Sequence, residues 1–274
     1  MQIGVVFPQT EMPADAGAVR AYGLRVQELG YTHVVAYDHV VGADPSVHKG
    51  WDGPYDLHST FHEPLVLFGF LAGLTSLELV TGIIILPQRQ TALVAKQAAE
   101  VDLLTGGRFR LGVGLGWNAV EYEALGKRFS DRGKRVDDQV ALLRHLWTEP
   151  SVTFAAGDER VTGAGLAPLP VQRPIPVWFG AASPPAYRRA GRLGDGWFPL
   201  VPPGPKLDDA RALVDAAAVE AGRDPSTLGL EGRVSWGDGG AATLADHADR
   251  WRKIGATHLT VNTMGCLLYT SRCV

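Results

Sequence analysis

The sequence predicts an α/β chain folded as a (β/α)8 TIM barrel, and three observations carry that reading. Short apolar runs alternate with segments of helical periodicity along the chain, at roughly thirty-residue spacing. Eight strand candidates can be counted. Glycine-rich turns follow the fourth and fifth of them, whereas the competing doubly wound sheet usually closes in fewer units and carries one such loop near its N-terminus.

Taken in order, Ile3–Phe7 alternates and stops at Pro8, the first strand. Val19, Tyr22, Val26 and Leu29 mark a helix over 14–29, ended by Gly30. His33–Tyr37 is the second strand, with Asp38-His39 at its carboxyl end. The polar stretch Val40–Phe61 is too long for a plain connector and reads as a binding loop or lid. Pro64 opens a helix reaching Gly73. Leu77–Leu86 is an uninterrupted apolar run, the mark of a strand buried on both faces. Thr91–Leu104 is helical.

The fourth strand lies within Thr105–Asn118, a Gly-Gly turn followed by Phe109, Leu111, Val113 and Leu115. A helix over 131–147 follows, and the Gly/Pro-rich stretch Ser151–Pro174 reads as a hairpin insertion before strand five. Ile175–Phe179 is that strand. Ser183 is a ready N-cap and Pro184 a ready N1 for the next helix, to Leu193. Gly196–Leu200, Leu228–Ser235 and Thr257–Asn262 complete the strands. Helices fill Lys206–Ala221 and Thr243–Ile254, the latter with a Thr243/Asp246 capping pair. Beyond Gly265 nine residues show no 3.6-residue period. The expectation is a barrel domain over 1–265 lacking its last helix, with 266–274 a tail foreign to the fold.

The chain has 274 residues, 46% hydrophobic and 20% charged, with a formal charge of −3. No basic excess favours nucleic acid, and no apolar run reaches the ~18 residues of a membrane span. The N-terminus enters a strand directly, leaving no room for a signal peptide. Cys266 and Cys273 both lie in the last nine residues, so the body has neither a disulfide framework nor a thiol nucleophile. A cytoplasmic protein is expected.

Barrel chemistry sits at the carboxyl ends of the strands. Those ends supply Phe7-Pro8, Asp38-His39, Thr81-Gly82-Ile83, Gly114–Asn118, Gly180–Ser183 and Gly196-Trp197. Neither a nucleophile–base pair nor a metal set is evident there. Gly112, Gly114 and Gly116 leave backbone open to a planar or phosphorylated ligand, or else let layers of sheet pack. Asn118 reads as an N-cap whose helix would offer free N–H groups to an anion. A planar cofactor with a phosphate tail suits this set, because the cofactor would bring the reactivity and the protein the binding.

Several motifs in order then resemble the bacterial luciferase-like flavin oxidoreductases. They are Asp38-His39-Val40, Leu-Val-Thr-Gly-Ile from Leu79, Leu86-Pro87-Gln88-Arg89, Ala95-Lys96-Gln97, Leu103 through Arg108, Gly112 through Asn118, Ala190 through Trp197, and Val261 through Gly265. More narrowly the chain resembles the branch that depends on the deazaflavin coenzyme F420, FMN-using monooxygenases being the alternative and an inactive barrel a third reading. The resemblance implies an oxidoreductase acting on a small-molecule substrate, often as a homodimer. It implies that His39 meets the ring near its hydride-carrying edge and handles a proton. Thr81 and Gly82 match a segment whose non-prolyl cis peptide backs the ring. Gly114, Gly116, Trp117 and Asn118 would line ring and tail, Asp38 would be among the cofactor-binding residues, and Gly180, Ala181, Ala182 and Ser183 would hold the phosphate through backbone N–H groups. Trp117 stands where some relatives carry a glutamate proton donor.

Other clusters have bland and functional readings. Asp38 and His39 could form a hydrogen-bonded structural pair. His58, His62 and Glu63 look like a metal set, but Pro64 starts a helix beyond them, and none is assigned a metal. Lys127, Arg128, Arg132, Lys134 and Arg135 could meet an acidic cofactor tail or form a solvated helix entrance. Trp51 and Tyr55 could line a substrate pocket or pack the long loop.

Overall fold

The computed structural model describes residues 1–237 and 240–265. Its barrel strands are β1 (Gln2–Val6), β2 (His33–Ala36), β3 (Glu78–Thr81) continued by β4 (Ile84–Ile85), β5 (Phe109–Gly114), β8 (Val177–Ala181), β9 (Gly196–Pro199), β10 (Gly229–Ser235) and β11 (His258–Asn262). A hairpin, β6 (Val152–Ala156) and β7 (Glu159–Ala164), lies between β5 and β8. The barrel order is β3-β2-β1-β11-β10-β9-β8-β5, all parallel. Closure comes from β5, which pairs back to β3 through Leu79↔Phe109 and to β4 through Ile84↔Val113. This is a closed eight-stranded parallel barrel.

Helices α1 (Ala16–Glu28), α2 (Pro64–Ala72), α3 (Thr91–Thr105), α4 (Ala119–Ala124), α5 (Arg132–Thr148), α6 (Pro184–Leu193), α7 (Pro205–Glu220) and α8 (Gly240–Lys253) follow the strands in turn. The middles of the strands are mainly apolar where both faces are covered, by helices outside and by packed side chains inside. Leu79, Ile84, Leu111, Val113 and Val177 are fully buried. Among the described residues no helix is long and apolar enough to cross a membrane.

Two expectations need correction, and a third is not reached. The run Leu77–Leu86 is not one strand: the peptide between Gly82 and Ile83 is cis, and a 3-10 turn, Leu86–Gln88, follows β4. The break falls at the Thr81-Gly82 segment, where the resemblance implies a cis peptide. α8 begins at Gly240, so Thr243 and Asp246 lie inside the helix and do not cap it. Its inward face is as expected, with Trp251 buried and Leu244 and Ala248 packed on the core. The tail 266–274, and with it the reading of a missing last helix, lies outside the described residues.

The barrel floor is polar. The Arg110 guanidinium donates to Glu78 and Glu231, each at 2.8 Å, and sits 4.4 Å over the Trp178 ring. Glu231 also meets His33 Nε2 at 2.9 Å and the Thr260 hydroxyl. These groups close the amino-terminal end of the barrel, so the opposite end is left to hold a ligand.

Candidate active site

The chain leaves β2 through Tyr37, Asp38 and His39. Asp38 and His39 do not pair with each other. Asp38 is buried, and its Oδ1 accepts from Arg89 at 2.8 Å while Oδ2 accepts the Ile85 N–H at 3.0 Å. It therefore ties β2 to β4 and to the turn beyond. Arg89 also donates to Glu63 at 2.9 Å. Burial opposes the Arg89 charge, but Asp38 and Glu63 on either side outweigh it and push its pKa up.

His39 turns instead to Glu121, with Nδ1 3.5 Å from Oε2. Glu121 is buried on α4, where its Oε1 accepts the N–H groups of Val40 and Val41 and Oε2 accepts from Gln88 at 3.1 Å. Burial pushes this carboxyl up, but the hydrogen bonds from His39, Val40 and Gln88 outweigh it and hold it below the ordinary glutamate value. A buried carboxylate so held fixes both the imidazole and the start of the long loop. Sequence reading missed it, because a glutamate in a first helical turn looks like dipole compensation. The available signal was its place three residues after the cap Asn118.

A cavity of about 450 Å³ opens at the carboxyl ends of the strands. Asp38, His39, Gly82, Gly114, Gly116, Trp117, Gly180, Ala181, Ala182 and Ser183 all line it, joined by Tyr37, Ile83, Arg132, Phe198, Leu200 and Arg233. The structure thus brings together all but two of the expected residues. Thr81 is one exception: fully buried in the wall, it donates its hydroxyl to the Gly112 carbonyl at 2.7 Å. Asn118 is the other. Its Oδ1 takes the N–H groups of Val120 and Glu121 at 3.1 and 3.2 Å, so the donors expected to be free for an anion are satisfied within the chain. Asn118 lines a smaller neighbouring cavity of about 180 Å³ under the long loop, and His39 borders both spaces.

The strand glycines have a specific neighbour. A Cβ on Gly114 would stand 2.5 Å from Ile83 Cδ1, and one on Gly180 would stand 3.2 Å from Ile83 Cγ2. Both make room for the Ile83 side chain, which is thereby presented to the cavity as an apolar ridge. At the far end stands the N-terminus of α6. Pro184 and Pro185 carry no N–H, and the Ser183 hydroxyl makes no capping bond. Beside it the Arg132 guanidinium stacks 3.6 Å over Phe129, and its Nε is buried without a partner.

Over the mouth, the long loop packs its aromatic rings around His39. Ring centroids lie 5.1 Å away for Tyr55, 4.7 Å for Phe61 and 5.5 Å for Trp117, and Trp51 rests on Trp117 at 5.6 Å. The other clusters resolve locally. His62 sets its ring edge-on to Phe7 and Glu63 is tied to Arg89, while His58 is exposed. Arg128 and Arg135 both pair with Asp131, which separates them from Arg132.

An uncharacterised protein of Mycobacterium tuberculosis is 36% identical over 164 residues, which cover 60% of this chain and 56% of that one. The F420-dependent hydroxymycolic acid dehydrogenase of the same species is 29% identical over 256 residues, 91% of this chain and 66% of its own length. The chain thus spans between about a half and two-thirds of these relatives. An F420-dependent secondary alcohol dehydrogenase, solved with an F420-acetone adduct, has the same fold at a TM-score of 0.80 and 18% identity, over 95% of this chain and 92% of that chain. The family profile itself runs over residues 1–266, and on that match the chain belongs to the luciferase-like monooxygenase family.

Proposed function

We propose that the protein is an oxidoreductase that binds coenzyme F420 in the barrel-mouth cavity and acts on a small organic substrate. One observation carries the reading: a single cavity joins the imidazole of His39 to a guanidinium whose Nε has no partner, Nη1 being held by the Phe129 carbonyl at 2.7 Å, and to a serine hydroxyl at its other end. The M. tuberculosis dehydrogenase above and a glucose-6-phosphate dehydrogenase of Amycolatopsis mediterranei, 29% identical over 182 residues, are both named as F420-dependent, which supports the choice of cofactor.

The residues present fit such a group. The Ile83 ridge, seated by Gly114 and Gly180, offers an apolar surface for one face of a planar ring. Arg132 and Ser183 offer donors for a phosphate, with the positive end of α6 behind them. When bound, the deazaflavin would supply hydride transfer. The chain's own part is binding, orientation and proton handling. Glu121 holds Nδ1 of His39, which leaves Nε2 to hold or move a proton in the cavity. Trp51, Tyr55, Phe61 and Trp117 keep water from that ring.

Titration of the purified protein with F420 and with FMN, followed by fluorescence and calorimetry, tests the reading. Micromolar or tighter F420 binding that weakens in Arg132→Gln is expected. Tight FMN binding without F420 binding would replace it by the flavin monooxygenase alternative.

A further inference from the structure

Arg233 is a second cation in the same cavity. It projects from β10, which lies four strands from β3 in either direction around the ring: through β2, β1 and β11, or through β5, β8 and β9. Arg233 therefore faces the Ile83 ridge across the mouth. Its Nη1 donates to the Tyr37 hydroxyl at 3.1 Å, and among the described residues no carboxylate pairs with it. Glu231, two residues earlier on the same face, is committed to Arg110, His33 and Thr260. The walls beside Arg233 are Phe198 and Leu200.

A charge at a cavity rim that no carboxylate of the described residues neutralises keeps its capacity for an incoming anion. Arg132 and α6 account for one anion, at the opposite end. Arg233, exposed at the rim, can take another. Its planar fork matches a carboxylate in two parallel hydrogen bonds, and the Tyr37 hydroxyl beside it adds a further group able to donate. The adjacent apolar walls suit a hydrocarbon body. We propose that the substrate is a small organic acid whose carboxylate is gripped by Arg233 and Tyr37, with its apolar part between Phe198, Leu200 and His39. This rests on the reading of Ile83 and Arg132 as the cofactor's side of the cavity.

The test uses calorimetric titration of the whole purified protein with benzoate and with its neutral isostere benzamide. Benzoate is expected to bind about tenfold or more tightly than benzamide. Arg233→Gln should weaken benzoate about tenfold and leave benzamide unchanged, Tyr37→Phe should weaken benzoate less, and Arg132→Gln should leave it bound. Circular dichroism of each variant separates this loss from misfolding, and Arg233→Lys should recover part of the affinity. Equal binding of the two probes, loss in Arg132→Gln with retention in Arg233→Gln, or phenyl phosphate binding much more tightly than benzoate would each overturn the assignment. F420 titration of Arg233→Gln, expected to match the wild type, is read separately. A wild type that takes no F420 but shows the Arg233-dependent preference for benzoate would remove the proposed cofactor and keep the carboxylate site.

Discussion

The Nδ1 of His39 stands 3.5 Å from the Oε2 of Glu121, joining the end of β2 to α4 at the lip of the cavity. The same carboxylate accepts from Val40, Val41 and Gln88, so it acts on the imidazole and on the loop start together. Glu121→Ala strands those buried donors, at about 1–3 kcal/mol each, and should lower the melting temperature by several degrees. Glu121→Gln is milder. The Gln88 Oε1 is buried without a partner, so a flipped Gln88 amide can accept from the new side chain. That variant should fold normally, but without the carboxylate to support a protonated ring. Its turnover is expected to fall about tenfold. Normal turnover would reduce Glu121 to a structural anchor.

Gly112 and Gly180 separate fold from site. A Cβ on Gly112 would lie 1.9 Å from the Thr81 carbonyl oxygen, and backbone cannot give way. Gly112→Ala is expected to cost more than ~3 kcal/mol and to yield little soluble protein. A Cβ on Gly180 meets only Ile83, at 3.2 Å and beyond, so Gly180→Ala should push that side chain toward the cavity and leave the melting temperature nearly unchanged. Weaker cofactor binding at unchanged stability is the expected pattern, read by F420 titration beside a thermal melt.

The barrel and most of its rim were legible because periodicity and glycine placement are local properties of the chain. Ser183 before two prolines announced the start of α6, and Asn118 announced that of α4. Three features were not local. Glu121 sits in an acidic first turn whatever it touches, and only packing aims it at His39. Arg233 reads as one polar residue inside a strand until closure of the barrel sets it opposite Ile83. The break at Gly82 lies in an apolar run that local pattern reads as one strand, and only the family resemblance placed a cis peptide there. Asp38 beside His39 misled in the opposite sense, since adjacent residues at a strand end point to different partners.

Trp117 is 41% exposed, yet it stands between His39 and Trp51, and a Cβ on Gly53 would strike its ring at 2.5 Å. The long loop therefore rests on this indole. Trp117→Ala should free the loop while the barrel stays intact. Limited proteolysis is expected to cut within residues 40–61 several-fold faster at an unchanged melting temperature. Cutting at the wild-type rate would show that Tyr55 and Phe61 suffice to hold the loop.

The barrel floor sets the acid limit of the fold. Burial pushes the Glu231 carboxyl up, but Arg110 and then His33 outweigh it and hold its pKa at about 2, against an ordinary 4.5. As pH falls below about 4.5 the unfolded chain takes up a proton that the folded chain refuses until about 2. The unfolded state thus binds more protons in that window, and stability present above it is lost on acidification, by about 3 kcal/mol at most. Glu231→Gln removes this slope. At neutral pH it should be less stable by about 3–5 kcal/mol, because Arg110 loses a buried counter-charge. Urea-unfolding free energies of wild type and variant should therefore approach each other as pH falls from 5 toward 3. Two parallel curves would mean that the proton uptake belongs to other carboxylates and that Glu231 is held by packing and hydrogen bonds alone.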